Sequence, residues 1–162
     1  MLSALLLCFS ANAQETAISS PDGHIVMTVD NSSDLNYRIS FNGETIVDKS
    51  PLGFEFIGEA PMTRGFILTE KPVARIMSEE WTPVVKNKHA KVHAVWNEVT
   101  LKLQENGDLR RRMDMEVKVF DEAVAFRYHL YDDHRLVTRE ISQEVTGFSL
   151  PDGADAWVAI TE

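Results

Sequence analysis

The chain has 162 residues, with 16 Lys+Arg against 25 Asp+Glu for a net charge of -9, and it is 44% hydrophobic and 25% charged. That balance belongs to a folded domain and not to a disordered one, and the negative charge argues against a nucleic-acid backbone or an anionic membrane surface as partner. The one cysteine, Cys8, lies in an apolar leader, so disulfides, thiolate nucleophiles and thiolate metal sites are excluded from the chain that follows it.

Residues Met1 to Ala13 read MLSALLLCFSANA and end in the small-x-small triplet Ala11-Asn12-Ala13 before Gln14, the pattern of a signal-peptide cleavage site. A basic start to this leader is missing, so its true beginning is expected upstream. Cys8 follows Leu5-Leu6-Leu7 instead of the small residues that lipid attachment requires, which favours cleavage after Ala13. The sequence therefore predicts residues 1–13 as a signal peptide and residues 14–162 as one exported domain, periplasmic or secreted. No segment approaches the roughly 20 apolar residues of a membrane-spanning helix.

After the leader the dominant period is two. The turn signal Ser20-Pro21-Asp22-Gly23 leads into a strand in which Ile25, Met27 and Val29 alternate with His24, Val26 and Thr28. Leu35 to Phe41 alternates without a fault, as a half-buried strand does. Asn42-Gly43 then supplies the positive φ angles of a two-residue hairpin turn, and Glu44 to Val47 returns. Gly58 to Lys91, holding Pro61, Pro72 and Pro83, is the least regular stretch and reads as loops around one or two short strands.

A second, longer hairpin follows: Val99, Leu101 and Leu103 face one way, Asn106-Gly107 turns the chain, and Met113, Met115, Val117 and Val119 answer. A helix would scatter these four positions around its circumference, because they are two apart. Asp121-Glu122 turns the chain again before Val124, Phe126, Tyr128 and Leu130. Ala156 to Ile160, apolar on both faces, suits a strand buried between layers. Nine or ten strands with short connections and no long helix predict an all-β antiparallel sandwich.

Candidate chemistry is sparse. His89 with His93, and Asp132-Asp133-His134, match no zinc spacing, and the acidic runs lack a calcium-loop pattern. Nucleophile elbows, phosphate loops and dinucleotide fingerprints are absent. Glu79 and Glu80 precede Trp81 in a Pro-terminated segment, where a tryptophan face and a nearby carboxylate would suit a sugar ring; plugging the end of the sandwich is the competing role for Trp81. Trp96 and Trp157 lie in strand-like runs and are expected to pack in the core. Arg110-Arg111-Arg112 reads as a solvated strand start or a rim contact to an acidic surface.

In order along the chain come Ser20-Pro21-Asp22-Gly23, Leu52-Gly53, Glu80-Trp81-Thr82-Pro83-Val84, Trp96-Asn97-Glu98, Ala125-Phe126-Arg127-Tyr128 and Ala154-Asp155-Ala156-Trp157. Together they resemble the N-terminal domain of family 97 glycoside hydrolases, the alpha-glucosidases and alpha-galactosidases of Bacteroidetes. The resemblance implies a β-supersandwich similar to galactose mutarotase, incomplete at its C-terminus and cut before the (β/α)8 barrel that carries the catalytic groups. It further implies an alpha-linked oligosaccharide and that barrel as partners, calcium in the full-length enzyme but none bound by this chain alone, and no catalytic residue or metal ligand here. Glu79, Trp81, Asn97 and Glu98 are the residues expected to meet carbohydrate or barrel. Glu162 lacks the context of the family's calcium-binding glutamate. Two departures bear on specificity: Val85-Lys86-Asn87-Lys88 stands where the family has a glycine and acids, and Trp96 stands where it commonly has tyrosine.

Two other functions are open to such a sandwich. One is a free-standing carbohydrate-binding module that uses Trp81. The other is an epimerase of the mutarotase kind, for which His93 and Glu98 are the nearest residues, although their opposite parity on one strand puts them on opposite faces. If the chain is part of a larger enzyme, a strand edge and some apolar surface are expected to be bare.

Overall fold

A computed structural model describes residues 15–84, 91–131 and 139–154. Among these the secondary structure is all β, with no helix: β1 (Glu15–Ser19), β2 (Ile25–Asp30), β3 (Asn36–Phe41), β4 (Glu44–Pro51), β5 (Phe54–Phe56), β6 (Glu59–Met62), β7 (Phe66–Leu68), β8 (Arg75–Trp81), β9 (Val92–Glu105), β10 (Arg112–Phe120), β11 (Val124–Leu130) and β12 (Ile141–Glu144). Every pairing is antiparallel. The strands form three sheets, ordered β1-β2-β3-β4, β11-β10-β9-β7 with β8 also on β9, and β12-β5-β6.

Local chemistry sets the first sheet. Gly23, at φ 79°, closes the turn between β1 and β2. In that turn the Asp22 carboxylate accepts from the Ser20 hydroxyl at 2.5 Å and from the His24 N–H at 3.0 Å. These bonds, the serine's first, hold the Asp22 carboxyl below its ordinary value. Asn42 and Gly43 take φ 51° and 82° between β3 and β4, the left-handed pair that a two-residue hairpin requires. From β2, Ile25, Met27 and Val29 point into the core.

The second sheet is built on β9. Its Val99, Leu101 and Leu103 stand opposite Val117, Met115 and Met113 of β10, and all six are buried. Burying each such side chain contributes about 1.5–3 kcal/mol, which makes this hairpin a main source of stability. Its connection differs from the expected Asn106-Gly107 turn: the left-handed residue is Arg110, at φ 49°, and the Glu105 N–H closes the loop on the Arg111 carbonyl at 3.0 Å.

β2 lies against β10 and β1 against β9, so the first two sheets face each other across one core. Tyr37 of β3 meets Phe126 of β11 edge to face at 5.4 Å. The third sheet closes the end of the sandwich, with Phe54 of β5 edge-on to Tyr128 at 5.0 Å. Tyr128 donates to the Thr146 hydroxyl at 2.9 Å, which itself donates to Glu144 at 2.7 Å. Burial pushes the Tyr128 phenol up to about 12, against the opposing effect of the Thr146 bond.

The sandwich is as predicted, with two corrections. The described residues hold twelve strands instead of nine or ten, and the stretch read as loops, Gly58 to Lys91, contains β6, β7 and the seven-residue β8. Pro72 and Pro83 flank β8 without interrupting it, and Arg-Ile-Met-Ser-Glu-Glu-Trp shows no alternation because neither face of this strand is buried. The expected strand at Ala156 to Ile160, Trp157, the leader, His89 and Asp132-Asp133-His134 lie outside the described residues.

Candidate functional site: the arm of β8 and β9

β8 pairs with the first half of β9 in unbroken register, from Arg75 opposite Glu98 to Trp81 opposite Val92. Odd residues of β9 from Val99 onward face the core, so alternation places Trp96 and Glu98 on the outer face, beside Met77, Glu79 and Trp81 of β8. Three of the four predicted contact residues, Glu79, Trp81 and Glu98, therefore share one face. Asn97 lies on the other, where its amide donates to the Ser19 carbonyl at 2.8 Å and ties β9 to the end of β1.

On this outer face Trp81 is 44% exposed and stands opposite Val92. The end of the sandwich therefore leaves it open instead of burying it as a plug. Glu79 is exposed beside it. Glu98 is engaged: its carboxylate accepts from the Trp96 indole N–H at 3.2 Å and pairs with the Lys118 ammonium at 3.4 Å. The same ammonium lies over the Trp96 ring, 4.7 Å from its centroid, and Phe120 packs against that ring at 5.3 Å. Trp96 is thus buried, at 6% exposure, as expected, in a small cluster on the outer face apart from the main one. Glu80 points the opposite way from Glu79 and binds Lys91 at 2.8 Å. His93 and Glu98 sit on opposite faces of β9, as their parity predicted, so they do not converge as an epimerase requires.

The arginine run is a correction. Arg111 is 2% exposed, and its guanidinium grips both oxygens of Glu105 at 2.6 and 2.7 Å. It also donates to the Ala60 and Pro61 carbonyls at 2.8 and 3.2 Å and to Glu59 at 3.5 Å, and it stacks over Phe56 at 5.3 Å. All five of its N–H donors are thereby used, which makes Arg111 a clamp between the β9–β10 hairpin and the third sheet. Arg111 and Arg112 also line a cavity of about 210 Å3 with Phe56, Met62, Leu130, Tyr131, Arg139 and Ile141. With its donors spent, Arg111 has none left for a ligand there. Among the described residues no three His, Cys, Asp or Glu side chains are grouped as metal ligands would be.

An all-β antiparallel sandwich with an arm running off one sheet is the class of module these observations define. Residues 18–162 match the family described as Glycosyl-hydrolase 97 N-terminal, and the chain belongs to that family. It is 30% identical over 125 residues to a Streptomyces bingchenggensis protein named "Probable retaining alpha-galactosidase", a match covering 76% of this chain and 18% of that one. Family 97 enzymes from a Pseudoalteromonas species, solved with panose and with acarbose, align with TM-score 0.77 and 30% identity over 85% of this chain and 20% of theirs. A beta-arabinopyranosidase aligns with TM-score 0.74 and 26% identity over 85% of this chain and 22% of its own. The chain thus spans about a fifth of the length of the relatives it matches.

Proposed function

We propose that this chain is the non-catalytic N-terminal sandwich of an exported, calcium-dependent alpha-glycosidase, which braces a (β/α)8 catalytic barrel and shapes the pocket for an alpha-linked oligosaccharide. The family match over residues 18–162, set beside relatives about five times as long, carries this reading. The relative's alpha-galactosidase name and the panose and acarbose complexes of the Pseudoalteromonas enzymes support the substrate class. In this reading the calcium ligands and the acid and base of hydrolysis belong to the rest of the enzyme, as the family resemblance implies. The leader at residues 1–13 supports export to the periplasm or beyond. Incubation of the purified chain with nitrophenyl alpha-glucoside and alpha-galactoside, with and without calcium, should give no release of nitrophenol; calcium-stimulated turnover would overturn the proposal.

The exposure of Trp81 favours one second reading, a free-standing carbohydrate-binding module. Calorimetry with maltooligosaccharides separates the two, because only a binding module titrates by itself and loses its heat on Trp81→Ala.

A further inference from the structure

Five of the twelve exposed large apolar residues among those described fall within residues 73–84: Val73, Ile76, Met77, Trp81 and Val84. The other seven are spread over the three sheets and their connections. All seven residues of β8 are exposed, and among the described strands only β9 pairs with it. Ile76, 75% exposed, projects from the face opposite to that of Met77, 39% exposed, and Trp81. A monomer seldom leaves so concentrated an apolar surface on an open strand edge.

We infer that the β8 arm is the surface by which this domain grips the rest of the enzyme, an inference that rests on the bracing role proposed above. Because both faces of β8 are exposed, the complementary surface is an apolar cleft that straddles this strand and not a plane that covers one side. The carboxylate of Glu79, flanking Trp81, calls for a cation at the rim of that cleft. A second copy of this chain fits less well: antiparallel pairing of β8 with itself about Ser78 sets Glu79 against Met77 and Glu80 against Ile76, between molecules that each carry a net charge of -9. The length of the relatives supplies the occupant instead, since four-fifths of each lies beyond the part this chain matches.

The test compares amide hydrogen exchange in this chain alone with the chain joined to the Pseudoalteromonas enzyme in place of that enzyme's matching fifth. The same two parts mixed as separate chains provide the readout if the fusion is insoluble. The β8 amides on the edge away from β9 should exchange at least ten-fold more slowly in the presence of the catalytic part. Ile76→Asp should lower the melting temperature of the joined protein while leaving that of the chain alone unchanged. If no amide of this chain slows and the two parts melt independently, the bracing role itself is overturned. If amides slow elsewhere but not in β8, and Ile76→Asp has no effect on the joined protein, the bracing role stands and the arm is the wrong surface. Concentration-dependent protection of β8 in the chain alone would make a second copy the occupant and overturn the inference.

Discussion

Replacing Arg111 by alanine tests how much the clamp between the β9–β10 hairpin and the third sheet contributes. The change leaves Glu105, whose side chain is 12% exposed, without the partner that satisfied both its oxygens. It also strips the Ala60 and Pro61 carbonyls of a donor. Removing one member of a buried ion pair costs about 3–5 kcal/mol, because the charge left behind stays desolvated. For a domain of this size total stability is about 5–15 kcal/mol, and the loss corresponds to a fall in Tm of about 10 °C. Urea unfolding followed by tryptophan fluorescence reads the change directly. Arg110→Ala, the neighbouring control, alters an exposed side chain bonded only to Gln104 and should cost under about 0.5 kcal/mol. Combining Arg111→Met with Glu105→Leu should recover much of the loss, since an apolar pair carries no stranded charge. The reasoning is refuted if Arg111→Ala falls within about 1 kcal/mol of Arg110→Ala, or if the double replacement is no better than Arg111→Met alone.

Other outcomes follow from geometry already described. Gly53 has φ 124°, and a Cβ there would lie 2.1 Å from the Met62 carbonyl oxygen; Gly53→Ala should therefore push β5 from β6 and cost at least about 2 kcal/mol, and an unchanged urea midpoint would contradict it. Trp96→Ala should cost about 3–5 kcal/mol and Trp81→Ala under about 1 kcal/mol, an order that reversal of the two urea midpoints would overturn. The Tyr128 phenol titrates near 12 in the folded chain, above its ordinary 10.0, so its burial stabilises fully below pH 10 and that contribution is lost as pH rises through 12. Tyr128→Phe should flatten stability against pH across this window, and an equally steep curve would count against the assignment.

Period two made the sandwich legible because the strands that carry it are buried on one face only: β2, β3, β9 and β10 show it, and their inward residues are those the alternation named. β8 broke the rule for a physical reason. With both faces exposed it has no apolar phase, and its order comes from pairing with β9, which lies eleven residues further along. Of the predicted contact residues, Trp81 and Glu79 lie side by side on an exposed face of β8. Glu98 is occupied by Trp96 and Lys118, and Asn97 ties down β1, roles that no short motif encodes. Arg111 is buried instead of solvated, and the sequence carries the signal: counting back by twos from Met113 puts Arg111 on the inward face and Arg110 and Arg112 outside. The charge of the triplet masked its parity. Trp96 is buried as expected, and its even number sets it in a separate cluster with Phe120 and Lys118 on the outer face.

At about 3.4 Å per residue the fourteen residues of β9 reach about 48 Å. They are not supported evenly. Trp96 to Glu98 lie between β10 and β8, and Lys102 to Gln104 between β10 and either Thr69 or β7, whereas among the described residues Val92 to Val95 are paired only with β8. A two-stranded ribbon has little stability of its own, so the far end of the arm is a cantilever whose stiffness is borrowed from the hairpin at its root. Its opening should be the lowest-energy fluctuation of the second sheet. Whatever loosens the β9–β10 hairpin then also slackens the arm, and whatever clamps the arm tightens the sandwich.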